Sequence, residues 1–229
     1  MDKVKYLEYL ESYLTPRRKN LIHKVSQNRT RHFTIVAEDT YLDHNASALV
    51  RTCDCFGILD LHIIEEIHRY RLAKRMAQGS QKWINIHYYS NYENNAQTCI
   101  DELKKQGYAI IGTTPNEHDY LLDDFDVRQK SAFFFGKERT GLSKAIIDQA
   151  DGLLKIPMYG FTQSFNVSVS AALLLQSVTA KLYARNDIDW PLTNEEVIDV
   201  KIDWCLKTIQ NGKKISAKYL KEESKPTKS

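Results

Sequence analysis

The sequence predicts an α/β domain: a mostly parallel sheet with helices on both faces, flanked by short helical extensions at either end. Three observations predict it. Strand-like and helix-like segments alternate through the middle of the chain. Ala109-Ile110-Ile111 and Phe133-Phe134-Phe135 are apolar without alternation, as parallel strands covered on both faces require. The two ends instead show apolar residues three and four apart, beginning with Leu7, Leu10 and Leu14.

The elements follow in order. After the first helix, Thr15-Pro16 reads as a cap with proline at the first helical position, and Leu21, Ile22 and Val25 give the second helix its apolar stripe. Phe33 to Ala37 is β-branched and alternating, hence a strand. Residues 44 to 56 read as a helix with Ala48, Leu49, Thr52 and Cys53 facing inward. Short strands follow at Leu61–Ile64 and Ile84–Tyr89, then an amphipathic helix over Glu93–Gln106 that Gly107 ends. Tyr108–Thr113, Ala132–Phe135 and Leu153–Pro157 are further strands, and Phe165–Ala184 is a long, almost wholly apolar helix. Near the end, Thr193 and Glu196 can form a capping box, with Ile198, Ile202, Cys205, Leu206 and Ile209 as the buried stripe of the helix behind it. Beyond Gly212 the chain turns lysine-rich and reads as a frayed tail. The organisation is thus a helical arm over 1–30, an α/β domain over 31–185 and a helical extension with a basic flexible tail over 186–229.

Composition excludes several classes. With 229 residues and 42% hydrophobic content the chain can bury one sizeable core. It has no apolar run of membrane-spanning length and no apolar leader after Met1, so no membrane association and a cytoplasmic location are expected. The net charge of +3 is small, but cations cluster at Arg17-Arg18-Lys19 with Arg29 and Arg31, at Arg69, Arg71, Lys74 and Arg75, and from Lys213 to Lys221. Cys53 and Cys55 form half of a metal motif with no second half, so Cys53, Cys55, Cys99 and Cys205 are expected to be buried free thiols and no metal is expected. A dinucleotide fingerprint, a phosphate loop and a nucleophile elbow are all absent.

Three segments carry chemistry. In His44-Asn45-Ala46-Ser47-Ala48-Leu49-Val50-Arg51, Asn45 stands at a helix start as a natural cap, and Arg51 follows about 9 Å along the axis among apolar neighbours. Such an arginine either snorkels or is held for a task. In the second segment, Phe133 to Phe135 runs directly into Gly136-Lys137-Glu138-Arg139-Thr140-Gly141. Ligands of open α/β sheets bind beyond the carboxyl ends of strands, where Gly136 would admit a ligand close to the backbone and Glu138 could accept hydrogen bonds. The third, Ile156-Pro157-Met158-Tyr159-Gly160 through Ser164, Phe165, Asn166 and Ser168, passes from a loop into the apolar helix and offers small polar groups at its start.

In this order and spacing the three segments resemble the SPOUT superfamily of RNA methyltransferases, and within it the TrmH/SpoU family of tRNA (guanosine-18) ribose 2'-O-methyltransferases. The resemblance covers about residues 17 to 185. It implies a deep trefoil knot toward the end of the catalytic domain, S-adenosyl-L-methionine as cofactor, a tRNA substrate rather than DNA, and a homodimer. It makes Arg51, Asn45, Glu138 and Asn166 the catalytic set. Thr113, Gly136, Ile156, Ser164, Phe165 and Asn166 fall where the family contacts its cofactor, with Phe165 in place of the usual leucine. Arg17, Arg18, His44, Arg71, Arg75 and Arg185 are the expected RNA contacts. Arg51 would either take the proton of the ribose 2'-OH or stabilise its alkoxide. A 2'-O-methyltransferase of ribosomal RNA and a catalytically silent RNA-binding module are the competing readings.

Overall fold

The computed structural model describes residues 2–39, 43–66, 79–116 and 118–223, so Arg71 and Arg75, with the rest of their basic cluster, lie outside the described residues. The chain forms two compact units. Thr30–Trp190 is one, and the two terminal segments, Met1–Arg29 and Pro191–Ser229, together make the other.

Among the described residues the larger unit is built on seven strands: β1 (Phe33–Glu38), β2 (Asp60–Ile64), β3 (Asn85–Tyr89), β4 (Ala109–Thr113), β5 (Tyr120–Leu121), β6 (Ser131–Phe135) and β7 (Gly152–Lys155). Their order is β3-β2-β1-β6-β4-β7-β5, and every recorded pairing is parallel. Because side chains alternate along a strand, the apolar runs feed two cores. Phe33, Ile35, Ala37, Phe133 and Phe135 pack on one face against Leu49, Val50 and Cys53 of α3 (Asp43–Cys55) and Leu174, Leu175 and Val178 of α6 (Val167–Tyr183). Val36, Ile110, Ala132 and Phe134 pack on the other against Cys99, Ile100 and Leu103 of α4 (Asn95–Lys105) and Ile146 of the short α5 (Lys144–Ile147). Helices therefore cover both faces, as the unbroken apolar strands require. The inward face of α3 differs from the sequence expectation: Ala46, Leu49, Val50 and Cys53 are buried, while Ala48 and Thr52 are half-buried. The two-residue β5 left no periodic signal. Among the thiols, Cys53, Cys99 and Cys205 are buried but Cys55, the last residue of α3, is exposed.

In the terminal unit, α1 (Lys3–Glu11) and α2 (Pro16–Ser26) join α7 (Asn194–Thr208) and α8 (Gly212–Glu223). Thr15 caps α2 by accepting from the Arg18 amide, and Thr193 and Glu196 complete the capping box of α7. Several expectations are revised here. Of the expected stripe of α2, Ile22 is buried as expected, Val25 is half-buried and Leu21 is exposed, while Ser26 is buried as well. The buried stripe of α7 is Val197, Val200, Lys201, Trp204 and Cys205, one step round from the isoleucine stripe, because Trp204 receives the Arg29 guanidinium 5.1 Å from its ring centre. The lysine-rich segment is helical to Glu223. Tyr219 packs on Tyr9 at 4.7 Å and Tyr6 donates to Ser216 at 2.5 Å, which turns Lys214, Lys218 and Lys221 to the opposite face. Part of the basic cluster near the N-terminus is internal to the fold: Arg29 is buried and Lys19 pairs with the buried Glu11 at 2.7 Å. In the larger unit, Arg31 bonds Asp60 at 2.9 Å. No described helix is long and apolar enough to cross a membrane.

At the β2–β3 edge of the sheet, polar groups fill the α4 face. Asp60 accepts from Arg31, Asn85 and His87, each at 2.9 Å. Burial alone would push its carboxyl up, but the His87 bond, the Arg31 charge and the Asn85 bond together hold it at about 2. The stacked neighbour His62 is held down to about 4, by burial first and by His87 second. Both folded values lie below the unfolded ones, so both groups stabilise the protein at neutral pH and lose that contribution on acidification. His62 loses it between pH 6.5 and about 4, and Asp60 between 3.8 and about 2. Denaturant unfolding should therefore show stability falling by a few kcal/mol as pH drops from 6.5 to 4. His62→Leu should flatten that slope, and an unchanged slope would remove His62 as its source.

Candidate active site

The carboxyl ends of β1, β6, β4 and β7 lie side by side, and the three segments singled out above leave the sheet at this end. Parallel pairing sets this position: Ala37 of β1 is in register with Phe135 of β6, and Gly112 of β4 with Phe134 of β6 and Leu153 of β7.

Asn45 joins the segments. It is 1% exposed and sits inside the first turn of α3, which begins at Asp43, so it is not the helix cap its sequence position suggested. Its side-chain amide is used elsewhere. Asn45 Nδ2 donates to Glu138 Oε1, and Asn45 Oδ1 accepts from Asn166 Nδ2 at 2.9 Å. Asn166 in turn caps α6, its Oδ1 accepting from the Ser168 amide at 2.9 Å and the Ser168 hydroxyl at 2.6 Å. A carboxylate only accepts, so this relay has one direction, from Ser168 through Asn166 and Asn45 to Glu138. Glu138 is exposed, which leaves its remaining lone pairs available to a donor from outside.

The turn that carries Glu138 is closed by its own backbone. Lys137 and Gly141 exchange hydrogen bonds of 3.0 and 2.9 Å. A Cβ on Gly136 would fall 2.2 Å from the Gly141 carbonyl carbon and the Leu142 nitrogen. Gly136 is thus required first by the approach of Gly141 and Leu142, rather than by a ligand alone.

Arg51 is exposed on α3, while Leu49, Val50 and Cys53 are buried in the core. Its apolar neighbours in sequence are therefore not its surroundings, because a helix turns Val50 and Cys53 away from it. The expected cofactor contacts divide by environment. Thr113 donates its hydroxyl to the Phe134 carbonyl at 2.8 Å, tying the ends of β4 and β6. Ile156 is half-buried against the core, whereas Ser164 and Phe165 are exposed. The loop before α6 also exposes Tyr159 and Phe161 almost completely. Of the expected RNA contacts, Arg17, Arg18 and His44 are exposed. Arg185 is held by Asp187 through bonds of 2.8 and 2.5 Å, which offsets much of its charge. Among the described residues, no three His, Cys, Asp or Glu side chains group as metal ligands would. The sequence reading passed over Glu38 and Asp39, both buried at the end of β1 beside the Glu138 turn. Their signal was two consecutive acids ending an apolar strand.

Comparison with known proteins gives four consistent findings. Residues 32–176 match the SpoU rRNA methylase family. The tRNA (guanosine(18)-2'-O)-methyltransferase of Borreliella burgdorferi is 37% identical over 92% of this chain and 94% of its own length. Its namesake in Thermus thermophilus is 32% identical over 84% of this chain and 98% of its own. In three dimensions, the crystal structure of the TrmH/SpoU tRNA modifying enzyme of A. aeolicus superposes with a TM-score of 0.73 at 27% identity, covering 85% of this chain and 98% of that one.

The relay makes a direct prediction. Asn45→Leu keeps the volume but strips the Asn166 amide and the Glu138 carboxylate of their shared partner, and should lower stability by about 1–3 kcal/mol in urea unfolding. Asn45→Asp, which sets a second carboxylate against Glu138, should be the worse variant at pH 8 and should recover toward pH 5. Equal stability of both variants at the two pH values would show that the relay carries no load.

Proposed function

The chain belongs to the SpoU rRNA methylase family, and from that premise we propose that it methylates the ribose 2'-OH of guanosine 18 in the D-loop of tRNA, with S-adenosylmethionine as donor. One observation carries the reading. The asparagine, glutamate and asparagine of three separate segments form one directed hydrogen-bond relay at the carboxyl end of a parallel sheet, on the helix that bears Arg51. The choice of tRNA over ribosomal RNA is supported by relatives of that named activity that match across nearly their whole lengths.

Thr113, Gly136, Ile156, Ser164, Phe165 and Asn166 would hold the cofactor. They offer main-chain groups, two hydroxyls, an amide and the apolar surfaces of Ile156 and Phe165, a set without charge that suits a purine nucleoside. Bound there, S-adenosylmethionine supplies an electrophilic methyl group. The protein's share is alignment and charge placement. Arg51 stabilises negative charge on the 2'-oxygen with the planar fork of its guanidinium, while water takes the hydroxyl proton. Asn45 and Asn166 fix Glu138, whose open lone pairs accept from the nucleoside. Arg17, Arg18 and His44 contact phosphate, making binding salt-dependent. The trefoil knot belongs to the same proposal: it would bring the loops near Thr113, Gly136 and Ile156 to Phe165 together around the cofactor.

A homodimer completes the reading. Val169 and Leu173, four residues apart along α6, are exposed, as are Tyr159, Phe161 and Phe165 in the loop before it, and a second copy is the proposed occupant of these apolar side chains. Sedimentation should give twice the chain mass. Val169→Glu with Leu173→Glu should yield a folded monomer with little activity, and a fully active monomer would refute this assembly.

Single-turnover methylation of a full-length tRNA transcript tests the chemistry. Arg51→Ala and Arg51→Lys should both fold and should bind S-adenosylmethionine within a few-fold of the parent. Both should slow methyl transfer by about 100-fold or more, lysine rescuing little because a point charge lacks the planar fork. The product should map to the ribose of guanosine 18. Product on ribosomal RNA alone would move the substrate, and a near-parental rate for Arg51→Ala would remove Arg51 from the reaction.

A further inference from the structure

We propose that Glu38 and Asp39, the consecutive acids at the carboxyl end of β1, are positioning residues that clamp the two ends of the turn carrying Glu138. This rests on the reading of Glu138 as part of the methyl-transfer site. Both acids are buried, at 1% and 2% exposure, where the rest of β1 is apolar or capped by a hydroxyl bond. A carboxylate is costly in such a place unless partners compensate it. Each has a partner on the same turn. Glu38 Oε2 accepts the Ser143 amide at 2.8 Å, at the far end. Asp39 Oδ2 stands 3.5 Å from Lys137 Nζ, at the near end.

The backbone makes the two contacts possible together. β1 and β6 are adjacent and parallel, in register to Ala37 and Phe135, so Glu38 and Asp39 leave the sheet beside Gly136 and Lys137. The Asp39 amide donates to the Ile64 carbonyl at 2.8 Å, and its φ of +50 lies in the left-handed region, which aspartate tolerates better than most residues. Fastened at residues 137 and 143, and drawn together by the Lys137–Gly141 bonds, the turn projects only Glu138, Arg139 and Thr140, all exposed. Glu138 then meets Asn45 in one geometry. The acids thus act through Glu138 and touch no substrate. Glu38 does so by a hydrogen bond that any acceptor of the same shape can supply, and Asp39 by charge.

Kinetics, hydrogen exchange and a double-mutant cycle separate this role from a general contribution to folding. Glu38→Leu should slow single-turnover methylation of tRNA by about tenfold or more while leaving S-adenosylmethionine affinity within a few-fold, since misplacement of a reacting group costs rate. Glu38→Gln, which retains an acceptor for the Ser143 amide, should recover most of that loss. In a Glu138→Ala background, Glu38→Leu should add less than about twofold, because residues acting as one unit are not additive. Exchange at the Ser143 amide should quicken in Glu38→Leu but not in Glu38→Gln. Full additivity over Glu138→Ala, or parental exchange at Ser143 in Glu38→Leu, would overturn the proposal. Should the parent methylate no tRNA, the reading of function fails by itself and the exchange measurement alone decides the clamp. Should Glu38→Leu fail to fold, Asp39→Asn and Lys137→Met replace it. Each should slow transfer, and the pair together no more than either alone, whereas additive losses would count against the clamp.

Discussion

The side-chain amide of Asn45 is the constraint on which the rest of the site depends. An amide has one donating end and one accepting end, and here each end is committed to a different segment: Nδ2 to Glu138, Oδ1 to Asn166. These residues lie 93 and 121 positions further along the chain. Because Asn45 is buried on a helix that packs into the main core, it has little freedom to serve one partner without the other. Buried polar groups of this kind are costly when unmatched and directional when matched, so the relay specifies a single arrangement of three loops that sheet packing alone would leave loose.

The sheet supplies the frame for that relay. With every pairing among the described strands parallel, the carboxyl ends of adjacent strands emerge together, and residues distant in sequence become neighbours there. The two apolar cores fix α3 and α6 against one face and α4 against the other. Asn45 at the start of α3 and Asn166 at the start of α6 can then meet over the end of β6, where Gly136 permits the tight turn that presents Glu138. Stability and site geometry so share the same elements: the strand end that terminates the core begins the turn.

Charge is used in three distinct ways. At the β2–β3 edge, Asp60 is saturated by Arg31, Asn85 and His87 and serves the fold. In the terminal unit, buried Glu11 pairs with Lys19 and His23, and the buried Arg29 guanidinium lies over the Trp204 ring. Arg17, Arg18 and Arg51, by contrast, are exposed. A count of basic residues cannot sort these classes, and this is why the net charge carried so little information about partners.

What the sequence determined by itself follows from local periodicity. Unbroken apolar runs in β4 and β6 could only be parallel strands covered twice, and the caps at Thr15 and Thr193 could be read because their partners lie three residues away. The ordered segments around Asn45, Glu138 and Asn166 pointed to the site as a pattern. Side-chain direction was less legible. Arg51 stands among apolar residues in the sequence, which left open whether it snorkels or is held for a task; the helix turns Leu49, Val50 and Cys53 into the core and leaves Arg51 exposed. The stripe of α7 and the order of α8 were misread for a related reason: the residues that decide them, Arg29, Tyr6 and Tyr9, come from the opposite end of the chain. Only tertiary structure could turn Asn45 from a helix cap into a bridge, or give Glu38 and Asp39 partners in the Glu138 turn. Hydrogen bonds between residues about a hundred positions apart leave no period in the sequence, and the parallel sheet brings their ends together only after the whole domain has folded.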